Sequence, residues 1–214
     1  MMKAVIFDLN GVIVNDEKFC QEAWRIYAPK NNLVITEDDF KNHITGSTNK
    51  EIFKYLYKRD LPREEFEKRS NDYLDIVINL FKEHLKPADG MVNLLDLLNN
   101  RFDLAVASSA YPRYFNYIID GLNLRKYFKV LLNAFDIEKA KPDPEIYLKA
   151  ASLLQVQPKD CLVFEDTLLG IRSAKAAGMK VVAIASTFKR DELGQADKII
   201  DSFTGLTFQD LELG

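Results

Sequence analysis

Ala4-Val5-Ile6-Phe7-Asp8-Leu9-Asn10-Gly11-Val12 is the stretch from which the rest of the chain can be read. Four apolar residues, two of them β-branched, predict a fully buried strand. Asp8 stands where that strand ends. A carboxylate there is costly to bury unless a cation or hydrogen-bond donors meet it. Gly11 lets the backbone turn tightly and approach a ligand. Taken alone, the stretch is a strand stopping in a polar turn. Later stretches carry matching chemistry: Ser108-Ser109 after Leu104–Ala107, Lys141 within Lys139-Ala140-Lys141-Pro142-Asp143-Pro144, and Glu165-Asp166 after Leu162–Phe164.

From Thr48 back to Glu17 and forward to Leu85 no strand is visible. Residues 17–28 carry Phe19, Ala23, Trp24 and Tyr27 at helical spacing, which reads as packing within the block. Thr36-Glu-Asp-Asp39 and Thr48-Asn-Lys-Glu51 have the form of capping boxes. Arg63 to about Leu85 is a long amphipathic stretch. Lys86-Pro-Ala-Asp-Gly90 then punctuates the chain. Beyond it strands and helices alternate: helix 91–98, strand 104–107, helix 112–120, strand 130–132, a helix opened by Asp143-Pro144 and running to about Leu154, strand 162–164, helix 168–177, strands 181–184 and 198–200.

Such alternation predicts an α/β fold, a Rossmann-like parallel sheet with helices on both faces. The predicted core is discontinuous, 1–14 plus 88–214, with an inserted all-helical cap at 15–87. In open sheets of this kind ligands bind beyond the carboxyl ends of the strands, where Asp8, Ser108 and Glu165-Asp166 fall.

Composition bounds the partners. At 214 residues, 47% hydrophobic and 29% charged, the chain is ordinary for a globular protein. Its net charge of −3 gives no electrostatic reason to expect nucleic acid or an anionic membrane. No segment approaches the ~18 apolar residues of a membrane span. The N-terminal apolar run is broken by Asp8 and Asn10 and does not read as a signal peptide. Cys20 and Cys161 form neither a disulfide framework nor a metal-ligand spacing. A cytoplasmic monomer is the expectation.

Two or three carboxylates and a backbone carbonyl suit Mg²⁺, which takes oxygen ligands and keeps several waters. A carboxylate beside such a cation can attack phosphorus. Ser108 can donate to the phosphoryl oxygens, backbone N–H groups at Leu9–Gly11 can form an anion nest, and Lys141 is the natural cation. Ser108, Lys141 and Glu165-Asp166 each have a plainer structural reading; their joint occurrence in this order does not.

The chain resembles the haloacid dehalogenase superfamily, in the subgroup whose helical cap follows the first strand, and is similar to β-phosphoglucomutases and related small-metabolite phosphatases. Phe7-Asp8-Leu-Asn10-Gly-Val-Ile, Ser108, Lys141-Pro-Asp-Pro and Val-Phe-Glu165-Asp166-Thr-Leu-Leu-Gly170-Ile match its four motifs but for one residue. The resemblance implies Asp8 as nucleophile and Mg²⁺ held by Asp8, the Asn10 carbonyl and Asp166, with Glu165 beside the metal. It puts Ser108 and Lys141 on the phosphoryl group. Substrate contacts are expected from Gly11 and Ser109 in the core and from Gly46, Ser47, Asn49 and Cys20 in the cap.

The departure is Asn10, where the family has an aspartate acting as general acid and base. An amide cannot carry that proton. The exchange reads either as introduced to trap a complex or as a natural change, the first preferred because the other motifs are intact. Impaired turnover is expected. In β-phosphoglucomutases an ungapped alignment puts histidine at Cys20 and arginine at Asn49. Their absence favours a Mg²⁺-dependent phosphatase of small phosphorylated metabolites over a sugar phosphomutase. A non-catalytic binder of phosphorylated ligands is the alternative that Asn10 keeps open.

Overall fold

The structure, a computed structural model, describes residues 2–211. Six parallel strands, β1 (Ala4–Phe7), β2 (Asp103–Ala107), β3 (Val130–Leu132), β4 (Cys161–Glu165), β5 (Lys180–Ile184) and β6 (Lys198–Ile200), form one sheet in the order β3-β2-β1-β4-β5-β6. The order reverses at β1. A cleft between diverging connections is expected above such a switch point, and β1 delivers Asp8 there.

Side chains on a strand alternate between faces, so a strand buried on both sides reads as a continuous apolar run. Val5 and Phe7 on β1, with Leu104, Val106, Leu162 and Phe164, pack on one face under α5 (Met91–Asn99) and α6 (Pro112–Gly121). Ala4 and Ile6, with Ala105, Ala107 and Val163, pack on the other under α7 (Glu145–Leu153) and α8 (Leu168–Ala176). A short helix, α9 (Phe208–Leu211), closes the described chain.

Between β1 and α5 the chain is helical, as the sequence indicates: α1 (Glu17–Lys30), α2 (Glu37–Asp39), α3 (Asn49–Tyr57) and α4 (Arg63–Phe81). This cap has an aromatic centre in which Trp24 stacks on Tyr73 at 4.1 Å and meets Phe53 edge-on at 5.4 Å. His43 stacks on Tyr55 and His84 on Phe19, both as exposed residues at the cap surface. No helix among the described residues is long and apolar enough to cross a membrane.

Two local expectations needed correction. The Thr36 capping box forms, but α2 lasts one turn and passes into a π-type turn at Phe40–Ile44. The helix near Asp143 starts at Glu145, because the Asp143 carboxylate accepts from the Glu145 N–H at 3.0 Å while Pro144 occupies the cap position.

Candidate active site

The end of β1 carries Asp8, whose N–H donates to the Phe164 carbonyl at 2.9 Å, which pins the loop against β4. The Lys141 Nζ donates to Asp8 Oδ1 and to Glu165 Oε1, both at 2.6 Å. All three side chains are buried. The sequence could not have paired them: Lys141 is 133 residues from Asp8 and 24 from Glu165.

Glu165, expected beside a metal, is held by protein donors on both oxygens. Its Oε1 also accepts from the Tyr147 hydroxyl at 2.9 Å, and its Oε2 accepts from the Asp166 N–H and from the Thr167 N–H and hydroxyl at 2.8–2.9 Å. Both oxygens are engaged by protein donors, and through Oε1 Glu165 anchors Lys141. Burial pushes its carboxyl up, but the Lys141 charge and these hydrogen bonds bring it below its ordinary value.

Asp166 is different. Its Oδ2 accepts from the Thr187 hydroxyl, but its Oδ1 is buried without a partner. Burial, then the charges of Glu165 and Asp8, hold its carboxyl well above the usual range. Burial likewise pushes Asp8 up to about 7 against the pull of Lys141. Gly11, at φ +71°, lets the β1 loop lie against Asp166: a Cβ there would stand 1.9 Å from Oδ2.

No group of three His, Cys, Asp or Glu side chains suited to a metal occurs among the described residues. Two carboxylates, one with an orphaned oxygen, together with a main-chain carbonyl and water nevertheless suit Mg²⁺, whose sites commonly use one or two protein carboxylates. Asp8, Asp166 and the Asn10 carbonyl are the groups that would hold it.

Ser108 follows β2. Its N–H donates to the Leu132 carbonyl at 3.0 Å, and its Oγ accepts from the Ala110 N–H at 3.1 Å, which leaves the hydroxyl proton for a ligand. Ser109 Oγ is buried without a partner.

A single cleft between cap and sheet is lined by Asp8, Asn10, Ser108 and Ser109 from the core and by Cys20, Gly46, Ser47 and Asn49 from the cap. The structure thus brings together eight of the residues singled out in the sequence. Lys141, Glu165, Asp166 and Gly11 are not among its lining residues, and Gly11 lines a neighbouring cavity with Pro87 and Ser186. Asn49 Nδ2 is buried without a partner. Gly46, at φ +82°, brings the cap turn against Thr167.

Glu17 and Tyr114 carried no signal of their own, and Asp16 only that of a nearby alternative proton source to position 10. Asn10 Nδ2 donates at 2.6 Å to Asp16 Oδ2, which also accepts from the Tyr114 hydroxyl at 2.7 Å. Burial raises the Asp16 carboxyl to about 6. Glu17, a cleft-lining residue, accepts from Thr45 Oγ1 at 3.0 Å and Gln21 Nε2 at 3.2 Å, both on Oε1. In sequence, Asp16 and Glu17 are acids at a helix start, and Tyr114 is one more apolar position on α6.

A family model described as haloacid dehalogenase-like hydrolase matches residues 5–184. The chain is 30% identical over 217 aligned positions to the β-phosphoglucomutase of Bacillus subtilis, covering 97% of this chain and 93% of the relative. It is 35% identical over 184 positions to the phosphorylated carbohydrates phosphatase of Thermotoga maritima, covering 84% and 83%. Among solved structures, a family IA, variant 3 hydrolase from Entamoeba histolytica superposes with a TM-score of 0.82 at 30% identity, covering 98% of this chain and 97% of the other.

Proposed function

Because this chain belongs to the haloacid dehalogenase-like hydrolase family, we propose that it is a Mg²⁺-dependent phosphatase that transfers the phosphoryl group of a small phosphorylated metabolite to Asp8 and then to water. The observation that carries this reading is the Asp8–Lys141–Glu165 chain, with Lys141 Nζ 2.6 Å from each carboxylate. Lys141 takes Asp8 Oδ1 and, held by Glu165, keeps a fixed positive charge beside the attacking carboxylate. That charge and the Ser108 hydroxyl meet the phosphoryl oxygens, where negative charge is spread in the transition state. Mg²⁺ bound at Asp8, Asp166 and the Asn10 carbonyl would supply the remaining charge on the phosphoryl oxygens.

Hydrolysis is favoured over phosphomutation by the cap wall. Among the described residues lining the cleft none is Arg, Lys or His, and Glu17 adds a carboxylate. A bisphosphate intermediate would need a cation there for its second phosphate. Both cysteines are free, which suits the reducing cytoplasm proposed as its location.

The test is a panel of sugar and nucleotide monophosphates with Mg²⁺, scored for inorganic phosphate. Release from at least one ester, abolished in Asp8→Asn, supports the reading. Interconversion of sugar phosphate isomers with little phosphate release would make the chain a mutase, and binding without turnover would make it a non-catalytic binder.

A further inference from the structure

The reaction needs a proton at the leaving oxygen, and the residue at the usual position cannot bring one. Asn10 is an amide, and its Nδ2 is committed to Asp16. Asp16 is fully buried behind Asn10, Tyr114 and the Gly11 N–H and does not reach the cleft wall. Of the remaining titratable groups on that wall, burial drives Cys20, Tyr73 and Tyr114 well above their ordinary values, and it raises Tyr111 as well. They stay neutral near pH 7 and cannot accept a proton from water.

Glu17 remains. It sits in the first turn of α1 and faces the same cleft as Asp8 and Ser108. Both protein donors, Thr45 and Gln21, fall on Oε1, which fixes the carboxyl while leaving Oε2 for a ligand. Burial, then the neighbouring Asp16, raise it to about 7, Thr45 and Gln21 lower it, and Asp8 raises it a little further. The ionisable groups facing it are Asp16 and Cys20 on its own helix, Tyr73 on α4, and Asp8 and Asp166 at the strand ends. No protein cation is among them, so nothing in the chain offsets the burial that raises this carboxyl, and a carboxyl raised by burial beside the nucleophile suits acid–base work.

We propose that Glu17 is the general acid and base of this enzyme, taking the role that an aspartate at position 10 would otherwise fill. The inference rests on the phosphatase reading above. In the first half-reaction an Asp8 oxygen bonds to phosphorus and the P–O bond to the leaving group breaks. The electron pair stays on the leaving oxygen, which receives the Glu17 proton and departs as an alcohol. In the second, the Glu17 carboxylate takes a proton from water as the water oxygen bonds to phosphorus. The bond to Asp8 breaks with its pair returning to the Asp8 carboxylate, phosphate leaves, and Glu17 is again protonated.

The test compares wild type with Glu17→Gln on two esters: p-nitrophenyl phosphate, whose leaving group needs no proton, and the aliphatic ester turned over fastest in the panel. Glu17→Gln should lower kcat on the aliphatic ester by about 10²-fold or more, while its pre-steady-state burst of p-nitrophenolate stays within about threefold of wild type. Thr45→Val removes a hydrogen bond that favours the ionised form, so it should move the pH profile of kcat upward. An unchanged kcat in Glu17→Gln, loss of its burst together with turnover, or an unmoved profile in Thr45→Val would each overturn the role of Glu17. A wild type inactive on every ester would instead remove the phosphatase reading on which that role depends.

Discussion

Asn10 is held where two carboxylates would otherwise meet. Its Nδ2 lies 2.6 Å from Asp16 Oδ2, so Asn10→Asp would replace a donor with a second acceptor. An unmet buried polar contact costs roughly 1–3 kcal/mol. Burial already raises the Asp16 carboxyl, and a second carboxyl in contact raises the pair further, so at low pH one proton bridges the two and as pH rises two charges come to face each other. The Tm deficit of Asn10→Asp relative to wild type should therefore be small at pH 5 and larger at pH 8. Adding Asp16→Asn should restore the pairing in reverse and recover most of the loss. A deficit independent of pH, or a double variant no better than the single, would mean that the 2.6 Å contact does not govern position 10. Lys141 has the opposite situation, one cation between two buried carboxylates. Lys141→Met should cost about 3–5 kcal/mol, because removing one partner strands the others. Urea unfolding measures it, and a loss below about 1 kcal/mol would show the ion pairs to be solvent-screened.

At the scale of elements, the sequence was legible where a pattern is local. The β1, β2, β4 and β5 cores are continuous apolar runs, and each site residue read at a strand end is found there, because a buried strand stops where polar groups must be met. The helical insert was legible through its spacing. What was not legible is long-range pairing. Nothing near Glu17 says that Thr45, 28 residues on, will hold it, and nothing near Glu165 says that Tyr147 and Lys141 will occupy its oxygens. Glu165 was thus legible as a carboxylate beside Asp166, but not as one whose oxygens both meet protein donors. Gly170 shows the same limit. In a helix Gly→Ala ordinarily gains about 1 kcal/mol. Here a Cβ would stand 1.6 Å from Glu165 Oε1, so α8 can begin beside that carboxylate only with glycine. Gly170→Ala should lower Tm and weaken activity through Lys141. A variant more stable than wild type would show that Glu165 can move without consequence.

At the scale of the molecule, the cleft and the buried layer beside it concentrate carboxyls in a chain of net charge only −3. Asp8 is raised to about 7, Asp16 to about 6 and Glu17 to about 7, against ordinary values of 3.8, 3.8 and 4.5. A carboxyl whose pKa is higher in the folded state binds more protons when folded. Stability therefore falls as pH rises across the gap, here from about 4 to about 7, and the penalty is complete above the folded value. The metal-free protein should melt at a higher temperature near pH 5 than at pH 8. Mg²⁺ acts in the other direction, because it takes Asp8 and Asp166 in their ionised forms. A ligand at a hundredfold excess over Kd stabilises by about 2.7 kcal/mol, or roughly 5–10 °C in Tm for a chain of this size. That gain should be large at pH 8 and fade toward pH 5, where protons hold the same oxygens, and Asp166→Ala should abolish most of it. Cap and core are tied at the rim by exposed or half-exposed pairs such as Lys41–Glu192 and Arg113–Asp75, whose contribution is small and pH-independent over this range. They leave the pH slope to the cleft. Differential scanning calorimetry at pH 5 and pH 8, with and without Mg²⁺, separates the terms. A Tm flat in pH would mean that the cleft carboxyls do not hold their protons, and an equal Mg²⁺ gain at both pH values would place the ion away from Asp8 and Asp166.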